Sequence, residues 1–472
     1  MLTSIKMSFG KGTMTYPEGA REAFLESGGL TFKDGSSISA GDIWEYMTIE
    51  APRKFPFAYS NNANSLSRPS TYLEFLWGIK YRYLLLSFQD RIGEAKKRGY
   101  PVAFVQGGQT LEPYYATNSI PLRPYFISLW SQNQRLGESE RERAISGMKT
   151  LEEGRREVSI EACHQVASHA AIKNGATPVD LIAPYLCLRC SDMPYLVETH
   201  RGTDRNTPTM LVDFPVNHQL DNEWAVSYMA RNLRRLVQKI VELGGKQITD
   251  DDLRTQIRLQ NKARRIARDL VHMWWNADSI PSYSCEIRNA ITLANDFCGD
   301  PVAGIQVLEE AYREVKERVD RGIKGIEMAD KPVRIFLCGS CVTPSTHHID
   351  RVGGTVIGWD DWWNRLLIDV QEDGEDPYVN LAKAILSFPY ELPTHQRALW
   401  TAEQARLSRS HGLVFAFNWG CNNQSAVARA VCDVVKQELG IPTMSLEMGE
   451  LGRAEQLEQS NNRIESFIEM IA

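Results

Sequence analysis

Seven short apolar runs, split three and four by a long stretch that contains none, constrain this chain more than any other feature. PVAFVQG (101–107), PVDLIAPYLC (178–187) and PTMLVDFP (208–215) come first; VRIFLCG, GGTVIGW, HGLVFAFN and IPTMSLE follow from Val333 onward. Each is bounded by Gly, Pro or polar residues and is too short for a helix, so each reads as a strand, the first three as buried ones. Helical stretches separate them, and short strands alternating with helices predict parallel sheets with crossover helices.

The stretch between the two sets, 221–330, reads differently. Leu233, Leu236, Ile240 and Leu243 step by 3, 4 and 3, which places them on one helix face. Gly244-Gly245 ends that helix, and Thr249-Asp250-Asp251-Asp252 opens the next. The fold class is therefore α/β: two Rossmann- or flavodoxin-like parallel-sheet domains with a helical middle region and an N-terminal extension. The boundaries are 1–98 for a largely helical extension, 99–220 for the first α/β domain, 221–330 for the helical domain and 331–472 for the second α/β domain.

Several functions find no anchor. A net charge of −6 gives no basic surface for nucleic acid. No apolar run approaches the roughly 18 residues of a membrane span, and the N-terminus MLTSIKMSFGKGTMTYPEG lacks a signal peptide's apolar core. A cytoplasmic address is expected. GxxxxGK[ST], a GxGxxG after a strand, HExxH and GxSxG are all absent, so any ATP must be bound by another chain. The basic clusters RNLRR and KARRIAR read as solvated helix faces, with a CoA phosphate as the alternative.

The cysteines carry the chemical signal. There are nine, an odd number in a long chain, which points away from a disulfide framework. Cys187 and Cys190 form a CxxC at the end of the second run, Cys338 and Cys341 another at the fourth, and Cys421 follows the sixth within FAFNWGCNNQS. In open α/β sheets ligands gather at the carboxyl ends of strands. Thiolates on converging loops there suit an iron–sulfur cluster; a four-cysteine zinc site and a thioredoxin-like redox pair are the other readings. Cys285, Cys298 and Cys432 read as structural, as do His164, His169, His347 and His348, although a proton-donating histidine stays open.

From about Lys96 onward the chain resembles the 2-hydroxyacyl-CoA dehydratase and benzoyl-CoA reductase family of iron–sulfur proteins. The likeness is carried by PVAFVQGGQTLEPYYATNSIPLRP, SIEACHQVASHAAI, CLRCSDMPYL, LVDFPVN, HGLVFAFNWGCNN, KQELGIPTMSLE and NNRIESFIEMI. The first ~95 residues have no clear counterpart.

The resemblance implies a 4Fe–4S cluster held by three cysteines from the two α/β domains, with one iron left open. Carried over by motif, the ligands are Cys163, Cys190 and Cys421, with Cys187 as the rival to Cys190. A six-cysteine double cubane, found in one branch, would need further cysteines in VIGWDDWWNR and ILSFPYELPTHQR, and neither segment has one. Glu112 is the candidate polar group lining the site, the alternative being a surface or helix-opening carboxylate. The implied reaction adds one electron to an acyl-CoA thioester; the ketyl radical expels the 2-hydroxyl and the electron is recycled. A benzoyl-CoA-type reduction that consumes electrons, and a subunit that only relays electrons, are the other two implied roles. A separate ATP-hydrolysing iron–sulfur activator and a paralogous second subunit are the implied partners.

Overall fold

The computed structural model describes residues 6–10, 12–59, 72–105, 109–123, 154, 156, 158, 163, 166, 179–186, 190, 192–203, 206–215, 222–326, 328–339, 344–361, 363–374, 376–418, 420–448 and 454–472. The helix expected over 145–176 lies outside these apart from isolated positions such as Cys163. Cys187, Cys341, His164 and His169 lie outside them altogether.

The expected strands form two parallel sheets. In the first, β1 (Val102–Phe104) is flanked by β2 (Ile120–Leu122) and β3 (Leu181–Ile182). The chain continues from β3 into β4 (Tyr185–Leu186), which pairs in parallel with β5 (Val212–Asp213), and a parallel bridge joins Ile182 to Thr209. Treating β3 and β4 as one interrupted strand gives a spatial order of second, first, third, fourth. The other sheet repeats that order as β7-β6-β8-β9, built from Val333–Gly339 (β6), Gly354–Trp359 (β7), Gly412–Asn418 (β8) and Thr443–Met448 (β9). All three of its pairings are parallel. In such an order the crevice lies outside the carboxyl ends of the first and third strands, where successive connections diverge to opposite sides. Cys190 and Cys421 each follow the third strand of their own sheet.

β2 is a strand that the sequence pattern hides, because Pro121 sits inside it. A proline has no N–H for a ladder and is confined to sheet edges; β2 is an edge strand with β1 as its only partner among the described residues.

The helical middle connects the parts. Helix α1 (Glu223–Glu242) buries Leu233, Leu236 and Ile240, the face expected from the 3-4-3 spacing. Helix α2 (Asp250–Asn276) opens with a reciprocal Thr249–Asp252 capping box. Helices α3 (Ser284–Asn295) and α4 (Pro301–Asp320) complete it. Buried polar contacts tie each neighbouring region to this hub. Arg123 at the end of β2 pairs with Asp296 at 2.6 Å, both side chains wholly enclosed. On the other side, the Trp275 indole donates to Ile357 O in β7 at 2.6 Å, and Asn261 donates to Val370 O at 2.7 Å.

The first 98 residues contain short antiparallel pairings (Met7–Gly10 with Thr13–Thr15 and Tyr72–Leu73; Leu30–Thr31 with Ser37–Ile38) beside helices that include Trp77–Leu86 and Phe88–Lys97, two where the sequence suggests one. This region docks on α3 and α4 through buried charge. Arg318 pairs with Glu74 at 2.6 Å, Lys80 with Glu310 at 2.7 Å, and Glu314 accepts the Leu76 and Trp77 amides at 2.7 and 2.9 Å.

Three buried carboxyls here give a pH prediction. Burial raises Glu286 from an ordinary 4.5 to about 8, Glu314 from 4.5 to about 7 and Asp350 from 3.8 to about 7. The folded chain thus retains protons that the unfolded chain releases, so stability falls as pH climbs from about 4.5 to about 8. The denaturant midpoint is expected to be higher at pH 5.5 than at pH 8.5, with the difference reduced in Glu286→Gln; a midpoint that rises with pH over that range would refute it.

Candidate metal centre

Cys421 stands at the handover from β8 to helix α5 (Asn422–Leu439), as the N-cap residue of an 18-residue helix. The backbone N–H groups of Gln424 and Asn423 face its thiol and lower its pKa, as expected at a helix N-terminus, where aligned peptide dipoles favour an anion. Burial outweighs them and, with the nearby Asp192 carboxylate, keeps the thiol above its ordinary range. A soft cation arriving at this sulfur would replace the proton.

The loop carrying Cys421 lies against Cys163. Gly420 has a φ of +80°, and a β-carbon added to it would stand 3.4 Å from Cys163 Cα and 4.0 Å from Cys163 Cβ. Residue 163 precedes the helical middle in the chain and residue 420 follows it, so segments from either side of that middle meet here. Gly420→Ala is expected to cost about 1–2 kcal/mol through its left-handed backbone, the added methyl itself reaching only ordinary contact distance from Cys163. The denaturant midpoint of the purified chain checks it; an unchanged midpoint would show that residue 420 leaves the left-handed region without cost.

Asp192 joins the third loop to this point. Its Oδ2 accepts the Cys163 backbone N–H at 2.6 Å, its carboxylate acts on the Cys421 thiol, and it lies two residues beyond Cys190. Cys163 is buried, while Cys190 and Cys421 are partly exposed. The residue before Cys421 thus packs against Cys163, whose amide is bonded by Asp192, two residues beyond Cys190. Among the described residues, no group of three or more His, Cys, Asp or Glu stands in metal-holding geometry.

The residues nonetheless suit an iron–sulfur cluster chemically. The three thiols are soft donors, and Cys190 and Cys421 follow strand ends. One turn past Cys421, the wholly buried Gln424 has a side-chain Nε2 with no hydrogen-bond partner among the described residues, a spare donor of the kind that sulfide accepts. Its Oε1 is taken by Arg397 Nη1 at 3.3 Å, and Arg397 in turn pairs with Asp360 at 2.5 Å.

Glu112 opens the short helix Glu112–Ala116 after β1, as a helix-opening carboxylate, but it is buried. Oε1 pairs with Arg264 at 2.6 Å, while Oε2 has no partner among the described residues. Arg264 comes from KARRIAR; its neighbours Lys262 and Arg265 are exposed as expected of a solvated face, but Arg264 turns inward. Only its position one turn from the buried Asn261 and Gln260 could have signalled that.

The remaining cysteines fall elsewhere. Cys298, Cys338 and Cys432 are buried, their thiol pKa values raised by desolvation, Cys432 to about 11. Cys285 is partly exposed on α3, and His348 is close to the second CxxC in sequence but caps no metal group among the described residues.

Comparison with known proteins agrees with this layout. The family model described as 2-hydroxyglutaryl-CoA dehydratase, D-component, matches residues 144–471, the span that holds all three cysteines. A protein of Escherichia coli (strain K12) named as a dehydratase subunit, YjiM, is 24% identical over 245 residues, 50% of this chain and 62% of the relative. One of the subunits of the benzoyl-CoA reductase of Thauera aromatica is 25% identical over 219 residues, 43% of this chain and 53% of the relative. The matched stretches thus span about half to three-fifths of these relatives' lengths. With its family match covering more than two-thirds of its length, the chain belongs to the 2-hydroxyglutaryl-CoA dehydratase D-component family.

Proposed function

We propose that this chain is the iron–sulfur subunit of an ATP-activated, low-potential enzyme acting on acyl-CoA thioesters, with dehydration of a 2-hydroxyacyl-CoA as its reaction. The observation that carries the reading is the packing of Gly420, beside Cys421, against Cys163, with the Cys163 amide held by Asp192 two residues beyond Cys190. Cys163, Cys190 and Cys421 would hold a 4Fe–4S cluster, which when bound supplies one-electron chemistry and an iron position open to a substrate oxygen.

The chain's own residues supply the setting. The α5 N-terminus favours the anionic form of Cys421, and the buried Arg397–Asp360 pair braces the first turn of α5 through Gln424. Glu112 is the proposed polar group toward the substrate, oriented by Arg264, with Oε2 the atom not engaged by that pair. Phosphate-loop sequences are absent, in keeping with a separate ATP-hydrolysing activator, and the proposed enzyme includes a paralogous second subunit. Among the described residues no helix is long and apolar enough to cross a membrane.

A second reading, a subunit of an ATP-dependent benzoyl-CoA-type reductase, is favoured by the match to the Thauera aromatica protein. Electron stoichiometry with the co-purified partner and activator separates the two. Many turnovers per electron are the expected result and mean dehydration, whereas two electrons consumed per product would mean ring reduction. Iron, acid-labile sulfide and zinc are counted in the same anaerobic sample. About four irons with sulfide are expected; zinc without sulfide would end both readings.

A further inference from the structure

We infer that Asp192 is the positioning residue of the cysteine constellation, holding the Cys163 backbone in place and putting a buried negative charge beside it. The inference rests on the cluster reading above. Asp192 is 6% exposed, so its carboxylate is committed to the protein interior. Its Oδ2 accepts the Cys163 N–H at 2.6 Å, 29 positions away in sequence, a short bond of the kind made by a charged acceptor. Its charge also contributes to the raised thiol pKa of Cys421, whose neighbour Gly420 packs against the Cys163 backbone. One side chain two residues beyond Cys190 therefore holds the Cys163 backbone, against which the segment leading into Cys421 packs.

Two consequences can be separated by substitution. The hydrogen bond fixes where Cys163 presents its sulfur, and residues that orient metal ligands from behind typically change metal retention by about 10–100-fold when removed. The buried negative charge disfavours adding an electron to anything bound at these thiols. Asp192→Asn keeps an oxygen that can accept the Cys163 N–H but removes the charge; Asp192→Ala removes both.

The test uses the full chain, purified anaerobically with its iron. In Asp192→Ala, iron is expected to pass to a ferrous chelator about tenfold faster than in the wild type. Asp192→Asn is expected to retain iron at close to the wild-type rate while its midpoint potential moves positive. Rescue of retention by Asn together with a shifted potential distinguishes positioning from a general loss of fold. The inference is overturned if the alanine variant keeps iron as the wild type does, or if the asparagine variant loses it as fast as alanine does. Should the alanine variant not fold, hydrogen exchange at the Cys163 amide decides: slow exchange in both the wild type and Asp192→Asn is expected, and fast exchange in the wild type overturns it. A wild-type chain devoid of iron and sulfide would instead overturn the cluster reading itself, a different result from any of these.

Discussion

Cys421→Ser is expected to yield a folded chain with less than about one iron, against about four in the wild type purified in parallel. The fold should survive because residue 421 is the N-cap of α5, where serine is among the preferred residues and stabilises a helix start by roughly 1 kcal/mol over non-capping types. The metal should not, because a serine hydroxyl is a hard donor with a far higher pKa than a thiol, and it cannot replace a soft ligand to iron. Cys163→Ser and Cys190→Ser are expected to lose iron in the same way. Cys298→Ser and Cys432→Ser provide the contrast: both thiols are buried in apolar packing, so these changes should lower stability while iron remains. Iron, sulfide and circular dichroism on the five variants check the pattern. A Cys421→Ser chain with wild-type iron would remove that residue from the ligand set, and loss confined to Cys298→Ser or Cys432→Ser would move the site altogether.

The largest expected loss of stability comes from Arg397→Ala. Arg397 and Asp360 are both wholly buried and paired at 2.5 Å. Asp360 also accepts the Gly339 N–H at 2.9 Å, and the guanidinium lies 4.0 Å from the Tyr390 ring centre. Burial alone would lower the arginine's pKa; the adjacent Asp360 carboxylate overrides this and raises it. Removing the cation takes the Arg397 charge away from a buried carboxylate, and breaking a buried pair in this way typically costs about 3–5 kcal/mol. Replacing both partners with apolar residues of similar size is expected to recover most of that loss, since neither charge is then stranded. Because Arg397 also holds Gln424, the single variant should bind iron less firmly as well. Denaturant midpoints followed by tryptophan fluorescence test the stability claim. A loss below about 1 kcal/mol would mean that Asp360 takes up its proton or finds water.

The strands were legible because a strand buried on both faces must be apolar along its whole length, and such runs survive in any tertiary context. β6 and β8 coincide with VRIFLCG and GLVFAFN. β2 was not legible, since Pro121 normally argues against a strand and only an edge position tolerates it. The antiparallel pairs of the first 98 residues were also missed; they are two to four residues long, too short to show an alternation. Within the site, Cys421 announced itself by standing just past an apolar run among amides. Arg264 did not, because a basic cluster on a helix looks the same whether one member turns inward or none does.

What the sequence determined by itself was the alternation of strands and helices, the repeated α/β pattern and the placement of thiols at strand ends. These depend on residues close together in the chain, where hydrophobic period and capping chemistry act directly. What only the tertiary structure decided was which loops meet: Gly420 against Cys163, Asp192 on the Cys163 amide, Glu112 with Arg264. Those partners lie between 29 and 257 positions apart. No local propensity encodes such a pairing; it exists because the helical hub holds the two sheets in one relative orientation, and burial then makes each unpaired charge too costly to leave alone.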